Sequence, residues 1–217
     1  MIKKLIKIDN LNKSYQYKNF KFSILENIKF DVKENEIISI VGPSGVGKST
    51  FLNLVGLLDS FDSGDYYFDE IDVKKLNKQE KNIFRNIYVG FIHQFFHLIP
   101  ELTILENVAM PKMIKDNNKK ESYEYANHLL ETFRLQDRVK FKPTYLSGGE
   151  QQRVAIARAL INKPKIIIAD EMTGNLDEET ADNVFNFFID EIIKNKQTLI
   201  YATHNKRYSD RAKIKLK

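Results

Sequence analysis

One short stretch limits what this chain can fold into more than any other. GPSGVGKST, residues 42–50, meets the pattern G-x-x-x-x-G-K-[ST] with Gly42, Gly47, Lys48 and Ser49. It follows the apolar run EIISIV and runs on into TFLNLVGLL, so a buried strand, a glycine-rich turn and a helix are expected in that order. In such a turn the backbone N–H groups of Gly45 to Thr50 wrap the phosphate tail of a nucleotide. Lys48 supplies positive charge to the β- and γ-phosphates, and the Ser49 hydroxyl ligates Mg²⁺. The whole loop (Gly42, Pro43, Ser44, Gly45, Val46, Gly47, Lys48, Ser49 and Thr50) is therefore read as a nucleotide site.

Two further runs look like buried strands, KPKIIIAD with Pro164 at its start and QTLIYATH near the end. Residues from about 102 to 138 carry a helical pattern with a polar interruption at KDNNKKES. Buried strands alternating with helices imply a mainly parallel sheet. The front of the chain differs. LIKIDNLNKSY alternates like a strand, FSILENIKFDVK reads as a strand pair, and SGDYYFDEIDV places a turn before another β-prone run.

The run IIIADE puts Asp170 and Glu171 at the carboxyl end of a buried strand, where ligands sit in parallel sheets. Asp170 is suited to hold Mg²⁺ through water, and Glu171 to orient or deprotonate a water in line with the γ-phosphate. The stretch LSGGEQQR, residues 146–153, leaves two readings open. Ser147 and Glu150 have the spacing of a capping box at a helix start. A cap does not need two glycines, however, and exposed N–H groups at Gly148 and Gly149 suit an anion.

With 217 residues the chain is expected to form one domain with a subdomain. It has no cysteine, so thiol chemistry and disulfides are excluded. The net charge of +5 comes from scattered lysines rather than a basic stripe between aromatics, which argues against nucleic acid as partner. No apolar run approaches the ~20 residues that span a bilayer, and MIKKLIKIDN lacks the apolar core of a signal peptide.

Taken together, GPSGVGKST, LSGGE and IIIADE resemble the ATP-binding subunits of ABC transporters, over nearly the whole chain. The resemblance implies an α/β fold: a P-loop NTPase (RecA-like) core with an antiparallel β-subdomain and an inserted helical signature subdomain. Residues 1–92 and 162–217 would form the core and β-subdomain, and residues 93–161 the helical part. It implies a homodimer that sandwiches two nucleotides, in which Ser147, Gly148, Gly149 and Glu150 of one subunit face the ATP held by the other. Gln94, in GFIHQFF, matches the glutamine that senses the γ-phosphate and Mg²⁺ and faces the membrane partner. His204, in YATH, matches the switch histidine at the γ-phosphate. Asp177, in TGNLD, matches a loop crossing the dimer interface, and Tyr15 matches the aromatic that stacks on adenine.

GFIHQFFHLIPELTILENVAMP and DEMTGNLD resemble most the branch that releases lipoproteins from bacterial inner membranes. Macrolide-efflux and cell-division branches share much of the pattern. The resemblance implies lipoprotein-releasing permease subunits as partners and a peripheral place on the cytoplasmic face of the inner membrane. A soluble ATPase remodelling DNA or ribosomes is disfavoured, because the chain has one motif set and no sustained heptads. Three departures stand out. Met172 replaces the usual proline after the acidic pair, Asn205 replaces an aspartate, and the chain ends twelve residues after Asn205, short of an expected further strand.

Overall fold

A computed structural model describes residues 4–216; the first three residues of the MIKKLIKIDN stretch and Lys217 lie outside it. The chain begins with β1 (Lys4–Tyr17) and β2 (Phe20–Lys33), followed by β3 (Ile37–Ile40) and α1 (Lys48–Val55). Next come β4 (Ser63–Phe68), β5 (Ile71–Asp72), α2 (Lys78–Tyr88) and β6 (Val89–Ile92). The helices α3 (Ile104–Asp116), α4 (Lys119–Thr132) and α5 (Gly148–Leu160) precede β7 (Ile166–Asp170). The chain closes with α6 (Glu178–Lys194), β8 (Thr198–Ala202), α7 (Lys206–Ser209) and β9 (Ile214–Leu216).

Two sheets result. One is antiparallel, in the order β2-β1-β4-β5, and the other is parallel, in the order β6-β7-β8-β3-β9. Alternation along the parallel strands divides the interior in two. Ile167, Ala169, Leu199 and Tyr201 face a cluster built with α3 to α6. Ile166, Ile168, Ile200 and Ala202 face a second cluster with α1 and the antiparallel sheet. The phosphate loop, β3–loop–α1, lies over this second cluster and is tied to it through Phe51, Leu52 and Leu54.

Several local expectations change. FSILENIKFDVK is not a strand pair but part of the single strand β2. Asn27 there takes a positive φ of 53°, and its N–H donates to Asn12 Oδ1 at 2.8 Å, so the strand bends without reversing. The interruption at KDNNKKES is where α3 stops at left-handed Asn117 and Asn118 caps α4. Several elements escape the sequence reading: α2, announced only by its Asn77–Glu80 capping box; α6 and α7; and β6, whose four residues are too few to show a period. A last strand, β9, is likewise absent from the sequence reading. Residues 214–216 do form a strand, parallel to β3, and Val41 N–H donates to Leu216 O at 2.8 Å.

Candidate active site

The loop between β3 and α1 holds two glycines with positive φ, Gly45 at 85° and Gly47 at 96°, in a region that side chains resist. This conformation turns successive N–H groups toward one side, the arrangement that suits phosphate oxygens. Pro43, Ser44, Gly45 and Val46 are exposed. Lys48 is buried; its Nζ donates to Gly42 O at 2.8 Å and Pro43 O at 2.9 Å. The loop thus fixes the position of its own cation.

β7 and β8 end side by side, with Asp170 paired to Ala202. The next residue, Glu171, has φ 42°, unusual for a side-chain-bearing residue and the kind of conformation found at functional sites. Its N–H donates to Ala202 O at 3.1 Å, and its carbonyl accepts from Gly174 N–H at 2.9 Å. Held this way, its carboxylate bridges two groups. Oε1 lies 3.4 Å from Lys48 Nζ and Oε2 lies 3.4 Å from His204 Nδ1. His204 is exposed, so it stands at the rim of the cluster. A cleft of about 240 Å³ adjoins it, lined by Glu171, Gly174, Leu176, His204 and Tyr208.

Asp170 tests whether this site suits Mg²⁺. Its Oδ1 is buried and has no hydrogen-bond partner. Burial raises the carboxyl above the usual aspartate range; the Ser49 hydroxyl and Lys48 charge oppose the shift, and the Glu171 charge adds to it. An orphaned, destabilised carboxylate oxygen beside a serine hydroxyl fits a hard cation. Among the described residues no three His, Cys, Asp or Glu side chains cluster for a metal, so water and phosphate oxygens would complete its shell.

Gln94 joins the cluster through its loop. Its carbonyl accepts from Asn175 Nδ2 at 2.8 Å, and its side-chain amide packs where a Cβ on Gly174 would stand, 2.9 Å away. The segment after Gln94 is anchored to α5: Arg158 donates to Phe96 O at 2.8 Å and His97 O at 2.6 Å. Sequence reasoning missed Arg158 and Asn175, because neither lies in a motif that names a ligand. Tyr15 stands apart on β1, its hydroxyl donating to Asp59 Oδ2 at 2.7 Å.

In the signature stretch the structure forms the capping box that the spacing suggests. Ser147 Oγ accepts from Glu150 N–H at 3.3 Å, and Glu150 Oε2 accepts from Ser147 N–H at 2.8 Å, a complete capping box for α5. That N–H and the Ser147 hydroxyl hold the Glu150 carboxyl below its usual range. The glycines also have a contact within the chain. A Cβ on Gly149 would stand 2.5 Å from Thr180 Cγ2, and one on Gly148 3.1 Å from Leu176 Cδ2. The cap itself uses neither glycine, but Gly149 has a separate, steric reason: α5 starts so close to α6 that a side chain at 149 does not fit. Asp177 caps α6, accepting from Thr180 N–H at 3.0 Å.

Two of the three departures have structural places here. Met172 is buried in the cluster under α5 and α6, where its flexible side chain fills core space. Asn205 caps α7, accepting from Arg207 N–H at 2.9 Å. A larger cleft, about 450 Å³, lies by α3 and α4 away from the site, lined by Lys112, Tyr125, His128 and Lys163. Lys112 there is already paired with Asp116 and Glu121.

The sequence profile of the ABC transporter family matches residues 25–174. The lipoprotein-releasing system ATP-binding protein LolD of Buchnera aphidicola is 46% identical over 201 residues, covering 93% of this chain and 88% of that protein. Its counterpart from Treponema denticola is 41% identical over 217 residues, covering 100% of this chain and 96% of its own. Among solved structures, the ATP-binding cassette MJ0796, as a post-hydrolysis dimer bound to ADP and Pi, superposes with a TM-score of 0.88 at 38% identity. That match covers 98% of this chain and 94% of that one.

Proposed function

We propose that this chain, which belongs to the ABC transporter family, is the ATP-hydrolysing subunit of a lipoprotein-releasing system. The observation that carries the mechanism is the Glu171 carboxylate held between Lys48 and His204 at the mouth of the phosphate loop. Lys48 neutralises charge on the β- and γ-phosphates. Glu171 orients the attacking water and takes its proton as the bond to phosphorus forms, while the γ-phosphoryl leaves ADP. His204 and Gln94 contact the γ-phosphate from either side of that water. Mg²⁺, held by Ser49 and Asp170, would neutralise charge developing on the phosphate oxygens. Positioning and charge do the catalytic work; no covalent intermediate is involved.

Two such subunits face each other, as in the dimeric MJ0796 cassette, with Ser147, Gly148, Gly149 and Glu150 presented to the partner's ATP and Asp177 at the shared face. Residues 93–161 act as a helical subdomain between the core and the permease. No described helix is long and apolar enough to cross a membrane, so membrane-spanning permease subunits of the lipoprotein-releasing type carry the transport path. The ATPase sits peripherally on the cytoplasmic face of the bacterial inner membrane. The relatives matched bear the lipoprotein-releasing name, which favours this partner over an efflux or cell-division permease.

Glu171→Gln tests the roles. The variant should bind ATP, dimerise with it and turn it over at least about a hundredfold more slowly, the order of a lost general base. Wild-type turnover by that variant, or failure to dimerise with ATP, would overturn the assignment. Affinity capture from detergent-solubilised native membranes tests the partner: recovery of a single-subunit efflux permease would refute the lipoprotein-releasing reading.

A further inference from the structure

The far end of the β1–β2 hairpin carries four aromatic rings. Tyr15 stands opposite Phe22, and Tyr17 opposite Phe20. Directly opposed residues share a face, as do residues two apart on one strand, so all four rings rise from the same side. All are exposed: 44% for Tyr15, 51% for Phe22, 65% for Tyr17 and 67% for Phe20.

This row leads to the phosphate loop. Two residues on from Phe22, at a bulge opposite Lys13, Ile24 packs its Cγ2 at 3.0 Å from where a Cβ on Gly47 would stand. At the other strand, Tyr15 is held on two sides. Lys13, itself buried, places its ammonium 4.7 Å from the ring centroid and 2.9 Å from Asp59 Oδ2, the same oxygen that accepts the Tyr15 hydroxyl. With one face of the ring against Lys13, its other face is free to stack. Phe22 is the ring directly across the ladder from it.

We propose that Phe22 is a second base-contacting residue, so that Tyr15 and Phe22 together form a platform for the nucleobase of ATP. The inference rests on the ATP-binding reading above and extends it. A purine is wider than one phenyl ring, and a platform of two rings covers more of its surface than one; stacking of this kind is tolerant of base identity but scales with stacked area. The platform therefore favours purine over pyrimidine triphosphates.

The chain contains no tryptophan, so Phe22→Trp installs a single emission reporter. Titration with ATP should quench it. Tripolyphosphate, which occupies the phosphate loop without a base, should leave it unchanged. In calorimetry, Phe22→Ala should weaken ATP about five- to tenfold while leaving the affinity for tripolyphosphate as in wild type, and Phe22→Tyr should restore ATP binding. Unchanged Trp emission at ATP concentrations where calorimetry registers binding would overturn the inference and leave the phosphate-loop reading standing. Equal weakening of ATP and tripolyphosphate by Phe22→Ala would also overturn it, since that marks general distortion of the loop. If wild-type protein binds neither, the nucleotide reading itself falls.

Discussion

Gly149→Ala isolates what the signature glycine does within its own chain. An added Cβ would meet Thr180 Cγ2 at 2.5 Å, whereas carbon atoms rest about 3.5–4.0 Å apart. Roughly 1 Å must be found between two helix starts. Thr180 has little freedom to provide it, being β-branched and standing in the first turn of α6 next to the Asp177 cap. Overpacking of this kind costs about 1–3 kcal/mol. Alanine recovers up to about 1 kcal/mol over glycine through helix propensity. The net expectation is a loss of about 0.5–2 kcal/mol, or a Tm lower by roughly 1–8 °C for a chain of this size.

The second variant gives the test its discrimination. Thr180→Ser removes the clashing methyl and by itself should cost under about 1 kcal/mol, one buried CH₃ at most. If the contact is the cause, the double variant should be more stable than the sum of the singles predicts, with a coupling of about 1 kcal/mol or more. Urea unfolding followed by far-UV circular dichroism reads this directly, provided the slope m stays constant across the four proteins. A Gly149→Ala protein as stable as wild type, or strictly additive singles, would refute the packing argument and leave the anion-contact reading as the reason for the glycine.

Two further predictions concern charge. Asp170 has its pKa raised by burial, so its contribution to stability is present below the usual aspartate range and is lost as pH rises through the higher folded value. Asp170→Asn should therefore be more stable than wild type at pH 7 without nucleotide, equal to it near pH 3, and devoid of Mg²⁺-dependent turnover; a neutral-pH variant less stable than wild type in urea would contradict this. His93 stacks on Phe91 at 4.3 Å, and burial, with His97 and Arg158 nearby, lowers its pKa to about 4. A depressed histidine contributes stability above its unfolded value near 6.5 that is lost as pH falls toward 4. The loss is reduced because the ring is partly solvated. His93→Phe, which keeps the stack, should flatten the urea midpoint between about pH 6.5 and pH 4; an unchanged acid slope would count against it.

Much of the site was legible because its chemistry is local. Lys48, Ser49, Asp170 and Glu171 sit beside buried strands whose ends are marked by apolar runs and glycines, and the parallel sheet brings those ends together by topology alone. What was not legible depends on contacts distant in sequence. No pattern in QQRVAIAR shows that Arg158 holds the carbonyls of Phe96 and His97, some 60 residues away. Nor does FSILENIKFDVK reveal one bent strand, since the bend depends on Asn27 meeting Asn12 across the ladder. Strand β9 went unread for a related reason. Ile214 to Leu216 have no room for a periodic pattern, and their strand state is imposed by the open edge of β3.

The signature stretch shows where sequence reasoning reaches its limit. Two glycines beside a serine looked like surplus to a helix cap, and therefore like a ligand contact. The structure gives Ser147 and Glu150 a complete cap and gives Gly149 a steric reason, yet this explanation does not displace the other. Beside the buried Gly149, the partly exposed Gly148 stands at the same helix start, where a backbone N–H has no partner within the helix. Such a group attracts an anion whether or not the chain supplies one. Close packing at Gly149 thus holds this helix terminus rigid, and rigidity is what the proposed contact with a neighbour's phosphate requires. On this argument Gly149→Ala/Thr180→Ser, restored in stability but with an altered helix start, should remain impaired in ATP turnover. A stable double variant with wild-type turnover would show that the glycine serves packing alone.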